Sequence, residues 1–299
     1  EKLLKSSYRP VILLGGGCTS PLTRSLVHSL SKKNIPITVS WTAKDIINHD
    51  NKNFCGLPGY FCNRSANLAL YFSDLIISIG SRLDLLQTGY NFNEMKNKKQ
   101  KIIYVNLDIN ELRKFKRNKR YKLINTSSED FIKYLNNFNF ENLDKSWSNL
   151  LNSYYLKYLN ELVEHRKKSN FNINPYRLLK QVSKLDKVDI FVSGSSGGSA
   201  EISFLNYFLT KGTRFLNSPG LGAMGFAIPS ILGALESKKN GRIITLVSMS
   251  GKRSKGDLAA YSSSKFALMG LCQTMRNNGW HQDIRVTAIC PSWVNTKMA

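Results

Sequence analysis

The sequence lacks a C-x-x-C pair and any apolar run approaching the ~20 residues that cross a bilayer, and its first glycine cluster, Gly15 to Gly17, lacks G-x-G-x-x-G spacing. Its five cysteines (Cys18, Cys55, Cys62, Cys272, Cys290) are odd in number and widely spread, which excludes a disulfide framework and suits a reducing cytoplasm. Its four histidines (His28, His49, His165, His281) are equally scattered, so no metal-ligand spacing emerges and no metal site is expected. With no signal-like start and no spanning run, a membrane partner is not expected either. Carboxylates are also scarce, with 20 Asp+Glu against 43 Lys+Arg and a formal net charge of +23. That balance would ordinarily suggest a polyanion as partner. The densest basic run, Arg113 to Lys122, sits between a strand-like IIYVNLD and the next helix, without motif context. It reads as a solvated connection, and no nucleic-acid partner is expected.

What is present is a chain of 299 residues, 42% hydrophobic, long enough for two packed domains. PVILLGGG (10–17) reads as a buried strand entering a glycine turn, and Thr23 to Leu30 follows with helical spacing. Asn34 to Ser40, Asp74 to Asp84 and Lys101 to Asp108 read as further strands, with a helix over Ala66 to Tyr71. Strands and helices alternating at this pace predict α/β architecture: parallel sheets with helices on both faces, in two Rossmann-like domains, the second a hybrid. Ligands of such sheets lie beyond the carboxyl ends of the strands, so residues 15–17 and 80–82 would line one crevice. Trp147 to Lys168 has helical spacing and reads as a linking helix whose aromatics pack. Tyr176 to Leu185 starts another amphipathic helix after Asn174 and Pro175.

The succession RPVILLGGG, NIPITVS, FCGLPGYFCNRSANLALYFSDLIISIGSRLD and KIIYVNLDINEL resembles the central domain of thiamine-diphosphate enzymes of the acetolactate synthase type. PGLGAMGFAIPSILGALE (219–236) is similar to the start of the diphosphate-binding domain of that family, so the resemblance runs over about residues 7–247. In members that carry FAD, the central domain holds it, with the glycine turn and Arg82 at matching places; FAD is not expected here. Thiamine diphosphate is the cofactor the resemblance implies. Gly194, Ser195 and Ser196, in a glycine-serine loop before a helix, are suited to a diphosphate. The resemblance places Gly222, Ala223 and Met224 against the aminopyrimidine, the Met holding the cofactor bent. Two partners are missing. The Asp of the family's Gly-Asp-Gly, which ligates Mg²⁺, is replaced by Ser248, Met249 and Ser250, and the activating glutamate belongs to a domain that would precede Glu1.

From Gly241 onward, GRIITLVSMSG, DLAAYSSSKFALMGL and IRVTAICPSWVNTKM look like the catalytic stretch of short-chain dehydrogenases/reductases, over about residues 241–299. Tyr261 and Lys265 lie four apart on a predicted helix and share a face, where an ammonium stabilises the phenolate and makes it a usable acid/base. Ser248, at a strand end thirteen residues before Tyr261, would hydrogen-bond the substrate oxygen, with Ser250 as fallback. The resemblance makes Thr296, in PSWVNT, a contact of NAD(P). Ser292 stands where that family usually has Gly, and its nucleotide turn and Asn-Asn-Ala-Gly strand end are absent.

The expected organisation is a central domain (1–144), a helical linker (145–172), the start of a diphosphate-binding domain (173–247) and a dehydrogenase-like segment (248–299). The expected function is that of an acetolactate synthase-like fragment, of the 2-keto acid decarboxylation and carboligation class, inactive alone. One alternative is an NAD(P)-dependent reductase acting on a small-molecule carbonyl or hydroxyl through Ser248, Tyr261 and Lys265. The other is a non-catalytic scaffold or pseudoenzyme. A homo-oligomer or a complete subunit is the expected partner. The swapped helix after Gly241 must pack on a layer fitted to another helix, which predicts a sound amino-terminal domain and a looser carboxyl-terminal one.

Overall fold

Five successive apolar residues, Pro10–Leu14, have no polar face and are stable only in a sheet covered on both sides. In the computed structural model they form β1, and all five are buried. The structure describes residues 1–88, 100–164, 174–184, 189–194, 197–209, 212–218, 220–223, 225–238, 241–254 and 256–290. These divide into two compact units, one formed by residues 1–166 with 174–224, the other by 167–173 with 225–299.

In the first unit, a short α1 (Lys2–Lys5) precedes β1, and α2 (Pro21–Leu30) follows it. Next come β2 (Ile37–Val39), α3 (Arg64–Phe72), β3 (Leu75–Ile79), β4 (Lys101–Asn106), α4 (Ile109–Arg113), β5 (Tyr121–Asn125), α5 (Ser128–Asn137) and α6 (Trp147–Glu164). The sheet order is β2-β1-β3-β4-β5 with every neighbouring pair parallel. Period-2 alternation assigns the faces. Ile12 and Leu14 join Val27 and Leu30 of α2 and Phe131, Ile132 and Leu135 of α5. Val11 and Leu13 join Ala69 and Leu70 of α3 and Trp147 and Leu151 of α6. The parallel α/β architecture expected from sequence is present, and the buried Trp147 and Tyr155 of α6 pack as predicted. β5 lies where the sequence predicts a connection. Its first residue, Tyr121, stacks on Phe115 with ring centroids 4.2 Å apart.

Residues 174–224 add α7 (Pro175–Val182), β6 (Ile190–Val192), α8 (Gly197–Asn206) and β7 (Arg214–Leu216), with β6 and β7 forming a separate parallel pair. Phe204, Tyr207 and Phe215 belong to the same apolar cluster as Ile46, Ile47 and Phe54, in the stretch that follows β2. Two charged residues of that stretch bind this segment. Lys44 donates from Nζ to the Phe204 carbonyl at 2.6 Å. Asp45 accepts from Arg214 Nε at 2.8 Å and from the Phe215 N–H at 3.0 Å, while Arg24 Nη2 donates to its other oxygen at 2.8 Å. Whereas the sequence sets a domain start at residue 173, in the structure residues 174–224 share the core of the first sheet.

The second unit contains α9 (Ala227–Lys238), β8 (Gly241–Leu246), α10 (Ala259–Gly279) and β9 (Ile284–Ile289). β8 and β9 are parallel with α10 connecting them, a strand-helix-strand crossover. Its packing is thin. Among the described residues its buried apolar side chains are Ile243, Val247, Cys272 and Ile284, whereas Ile244, in the middle of β8, is 59% exposed. A Cβ on Gly233 of α9 would meet nothing within 4 Å.

Candidate functional site

Three places answer to the chemistry read from sequence. The first is the turn after β1. A phosphate cradle needs free backbone N–H groups, but here Gly15 N–H donates to Ile79 O at 2.8 Å, Gly17 N–H to Gly80 O at 2.9 Å and Cys18 N–H to Gly15 O at 3.0 Å. The glycines serve close packing. A Cβ on Gly15 would stand 2.2 Å from both Gly80 O and Ser81 Cα, so only glycine lets the ends of β1 and β3 meet. Arg82 turns its guanidinium to Glu111, with Nη2 3.0 Å from Oε1. Burial pushes the neighbouring Cys18 thiol up to about 12, so it remains a protonated core residue. Three amides of this turn are thus engaged within the fold, which leaves it few donors for a phosphate.

The second place is the loop after β6. Asn217, just past β7, donates from Nδ2 to the Gly194 carbonyl at 2.5 Å and to Ser193 Oγ. Its Oδ1 is buried with no partner, an acceptor that would suit an N–H or O–H group and not a phosphate oxygen. Ser195, Ser196 and Met224 lie outside the described residues. Gly222, at φ +58°, donates its N–H to Ser218 O at 3.0 Å and closes a turn that leaves Ala223 exposed. A Cβ on Gly220 would meet nothing within 4 Å, so packing does not require that glycine.

Mg²⁺ needs hard oxygen ligands, and a diphosphate alone in a half-buried site is unfavourable by several kcal/mol. The tip of β8 offers Ser248, Met249 and Ser250, and no cluster of three or more His, Cys, Asp or Glu able to hold a metal occurs among the described residues. The donor set does not fit a metal-held diphosphate.

The third place is the junction of β8 with α10. Ser248 Oγ accepts the Ser250 N–H at 3.1 Å and starts the tight turn Met249–Gly251. Gly251 brings that turn onto the helix: a Cβ there would be 2.8 Å from Lys265 O, 2.9 Å from Val247 Cγ1 and 3.0 Å from Met269 Cγ. Tyr261 lies in the first turn of α10 and is 46% exposed, with Lys265 Nζ 5.5 Å from its ring centroid. The Tyr-Lys pair thus shares one helix face as the spacing predicts, and Ser248 stands on the turn that closes against that helix. Thr296 and Ser292 lie outside the described residues. Sequence reasoning missed two features here. Gly251 was legible only as part of S-M-S-G, and Ser262 is buried on the same helix with its Oγ unpartnered. A recess of ≈ 310 Å³ between α9 and α10, lined by Leu232, Leu235, Leu271 and Met275, includes none of Ser248, Tyr261 or Lys265.

The first unit also holds a buried polar set that the sequence did not signal. Lys44 Nζ is 3.4 Å from His49 Nε2, and His49 Nδ1 is 3.0 Å from the Tyr155 hydroxyl. Burial pushes Lys44 down to about 7, and burial together with the Lys44 charge keeps His49 well below its usual range. Burial would raise Asp45, but the Phe215 N–H, Arg24 and Arg214 hold its carboxyl below the ordinary value.

Compared with known proteins, residues 1–132 match the family described as thiamine pyrophosphate enzyme, central domain, and residues 177–299 match short chain dehydrogenase. Curated relatives are named acetolactate synthase large subunit. That of Buchnera aphidicola subsp. Schlechtendalia chinensis is 28% identical over 81% of this chain and 42% of its own length. That of Haemophilus influenzae is 26% identical over 81% and 42%, and that of Pyropia yezoensis is 26% identical over 82% and 41%. The chain thus spans about two fifths of these relatives. The synthase and dehydrogenase matches together exceed the length of the chain, so they overlap.

Proposed function

Starting from a chain that carries the central domain of thiamine-diphosphate enzymes and a short-chain dehydrogenase segment, we propose that it is an acetolactate synthase-like fragment which is catalytically silent alone. On this reading it is a cytoplasmic chimera that acts, where it acts, beside a complete subunit. The carrying observation is the tip of β8, where Ser248 Oγ caps its own turn and no carboxylate stands in the place a diphosphate-bound metal requires. Thiamine diphosphate supplies a nucleophilic thiazolium carbon when bound. Among the described residues, this chain's contribution toward it is the glycine turn at Gly222 and the loop at Gly194, whose carbonyl Asn217 engages.

A second reading rests on Tyr261 and Lys265. Their placement on α10, with Gly251 letting the serine-bearing turn close on that helix, supports a carbonyl reductase in which Tyr261 exchanges a proton with the substrate oxygen. The engaged amides of the β1 turn weigh against it, since they offer no nucleotide cradle.

Titration calorimetry of the whole chain separates the two. We expect no heat with thiamine diphosphate plus Mg²⁺ and none with NADH or NADPH. Heat that requires Mg²⁺ would restore a working thiamine site and defeat the proposal. Heat with a reduced nicotinamide, abolished in Tyr261→Phe with Lys265→Ala, would transfer the function to the reductase reading.

A further inference from the structure

The ends of the first sheet opposite the crevice carry a surface that the proposed function does not use. In parallel sheets the strand starts line up along one rim, and here the order β1, β3, β4, β5 sets the described approaches to β3 and β5 on that rim with the start of β4 between them. Strand spacing of about 4.8 Å puts the starts of β3 and β5 on the order of 10 Å apart.

Before β3 stand Tyr71 and Phe72, 47% and 53% exposed, edge to face with ring centroids 5.1 Å apart. They are held in place. Gln100, at the entrance to β4, donates from Nε2 to Leu70 O at 2.6 Å and to Ser73 O at 2.8 Å, which fixes the last turn of α3 beside Lys101. Before β5 stand Lys116, Arg117 and Lys119, all exposed. Their turn is rigid, locked by Asn118 N–H to Phe115 O at 2.9 Å, Tyr121 N–H to Asn118 O at 2.9 Å and the Phe115–Tyr121 stack beneath. Among the described residues no carboxylate forms an ion pair with Lys101, Lys116, Arg117 or Lys119. Of the rim's described acids, Asp74 is taken by Ser7 Oγ and by the N–H groups of Tyr8 and Arg9, and Asp144 by Arg9 Nε at 3.0 Å.

We propose that this rim binds single-stranded nucleic acid, with Lys101, Lys116, Arg117 and Lys119 on the phosphates and Tyr71 and Phe72 as stacking platforms. From sequence alone the basic run is a solvated connection with no such partner. The fold adds what sequence does not display, exposed aromatics from a connection some forty residues upstream on the same edge. Membrane binding scales with the apolar area inserted, and two half-exposed rings offer little, whereas stacking of a base needs only a ring face. With the backbone beneath them fixed before the ligand arrives, the rings lose little freedom on binding.

The test is fluorescence anisotropy of the full chain with a labelled oligothymidylate of about 15 nucleotides, with heparin and phosphatidylserine vesicles as comparators. Tyr71→Ala with Phe72→Ala is expected to weaken oligonucleotide binding about tenfold and heparin binding less than about twofold, because only bases stack. Tyr71→Phe with Phe72→Tyr should retain it. Lys116→Glu, Arg117→Glu and Lys119→Glu together should lower the slope of log affinity against log salt by about 2. Equal loss for heparin and oligonucleotide in the aromatic variant would reduce the surface to a non-specific polycation and overturn the proposal. So would binding to the vesicles but not to the oligonucleotide, or no oligonucleotide binding at about 0.1 M salt.

Discussion

Replacing Lys44 with Met should change the pH dependence of stability in the first unit more than its stability at any one pH. Wild-type Lys44 is 1% exposed, and burial lowers it from 10.5 to about 7. Between those values the unfolded chain holds a proton that the folded chain does not, so stability rises with pH across the window. The penalty is complete below pH 7, where both states are protonated, and relief is complete only above 10.5. From pH 7 to pH 9 the expected gain is about 2 kcal/mol, from about 1.4 kcal/mol per pH unit once the folded state has lost its proton. Unfolded Cys begins to ionise at about pH 8 and Tyr at about pH 9, in both proteins alike, so the gain is read as the difference between them. Cys18, Cys55 and Tyr155 are all raised by burial and would reverse the slope there. Met fills similar volume without charge and leaves the Phe204 carbonyl unpaired, a loss of about 1–3 kcal/mol that does not vary with pH. Urea unfolding at pH 7, 8 and 9, followed by far-UV circular dichroism, should show wild type gaining about 2 kcal/mol on Lys44→Met between pH 7 and pH 9. The same slope in both proteins would refute the reasoning and mean that the ammonium keeps its proton, stabilised by the Phe204 carbonyl.

Gly15→Ala should destabilise the first unit by about 2–4 kcal/mol, read as a lower melting temperature, because backbone at Gly80 and Ser81 occupies the place of the new Cβ. An unchanged melting temperature would mean that the β1 and β3 ends separate freely. Asp45→Ala removes the acceptor of Arg24, Arg214 and the Phe215 N–H and should cost about 3–5 kcal/mol. Limited proteolysis should then cut within 174–224 at concentrations of protease that leave wild type whole, and equal resistance would defeat the assignment.

Much of the first unit could be read in advance because its strands are continuous apolar runs, a pattern with no stable alternative to a covered sheet. β1, β3 and β4 lie within the stretches predicted for them. β5 escaped notice because Tyr121 to Asn125 follows six cations and lies at the sheet edge, where burial is incomplete and alternation weak. The glycines after β1 were visible, but their role was not. A tight backbone approach and a phosphate cradle require the same residue, and only the donor and acceptor pairs distinguish them. In the second unit the Tyr261 and Lys265 spacing was readable since helical periodicity fixes which residues share a face. The closeness of Gly251 to Lys265 was not, because it joins elements through tertiary packing that no local period encodes. The Lys44, His49 and Tyr155 set was invisible for the same reason, its members being drawn from two loops' worth of chain and a distant helix.

The grip of Lys44 and Asp45 on the strand and helix around Phe204 and Phe215 has a genealogical corollary. A gene rearrangement that replaced everything after residue 224 would leave upstream folding intact, because the last pieces needed to seal that core are already encoded before the breakpoint. A foreign tail could then be inherited without penalty to its host, which makes the position after that grip a tolerant place for recombination.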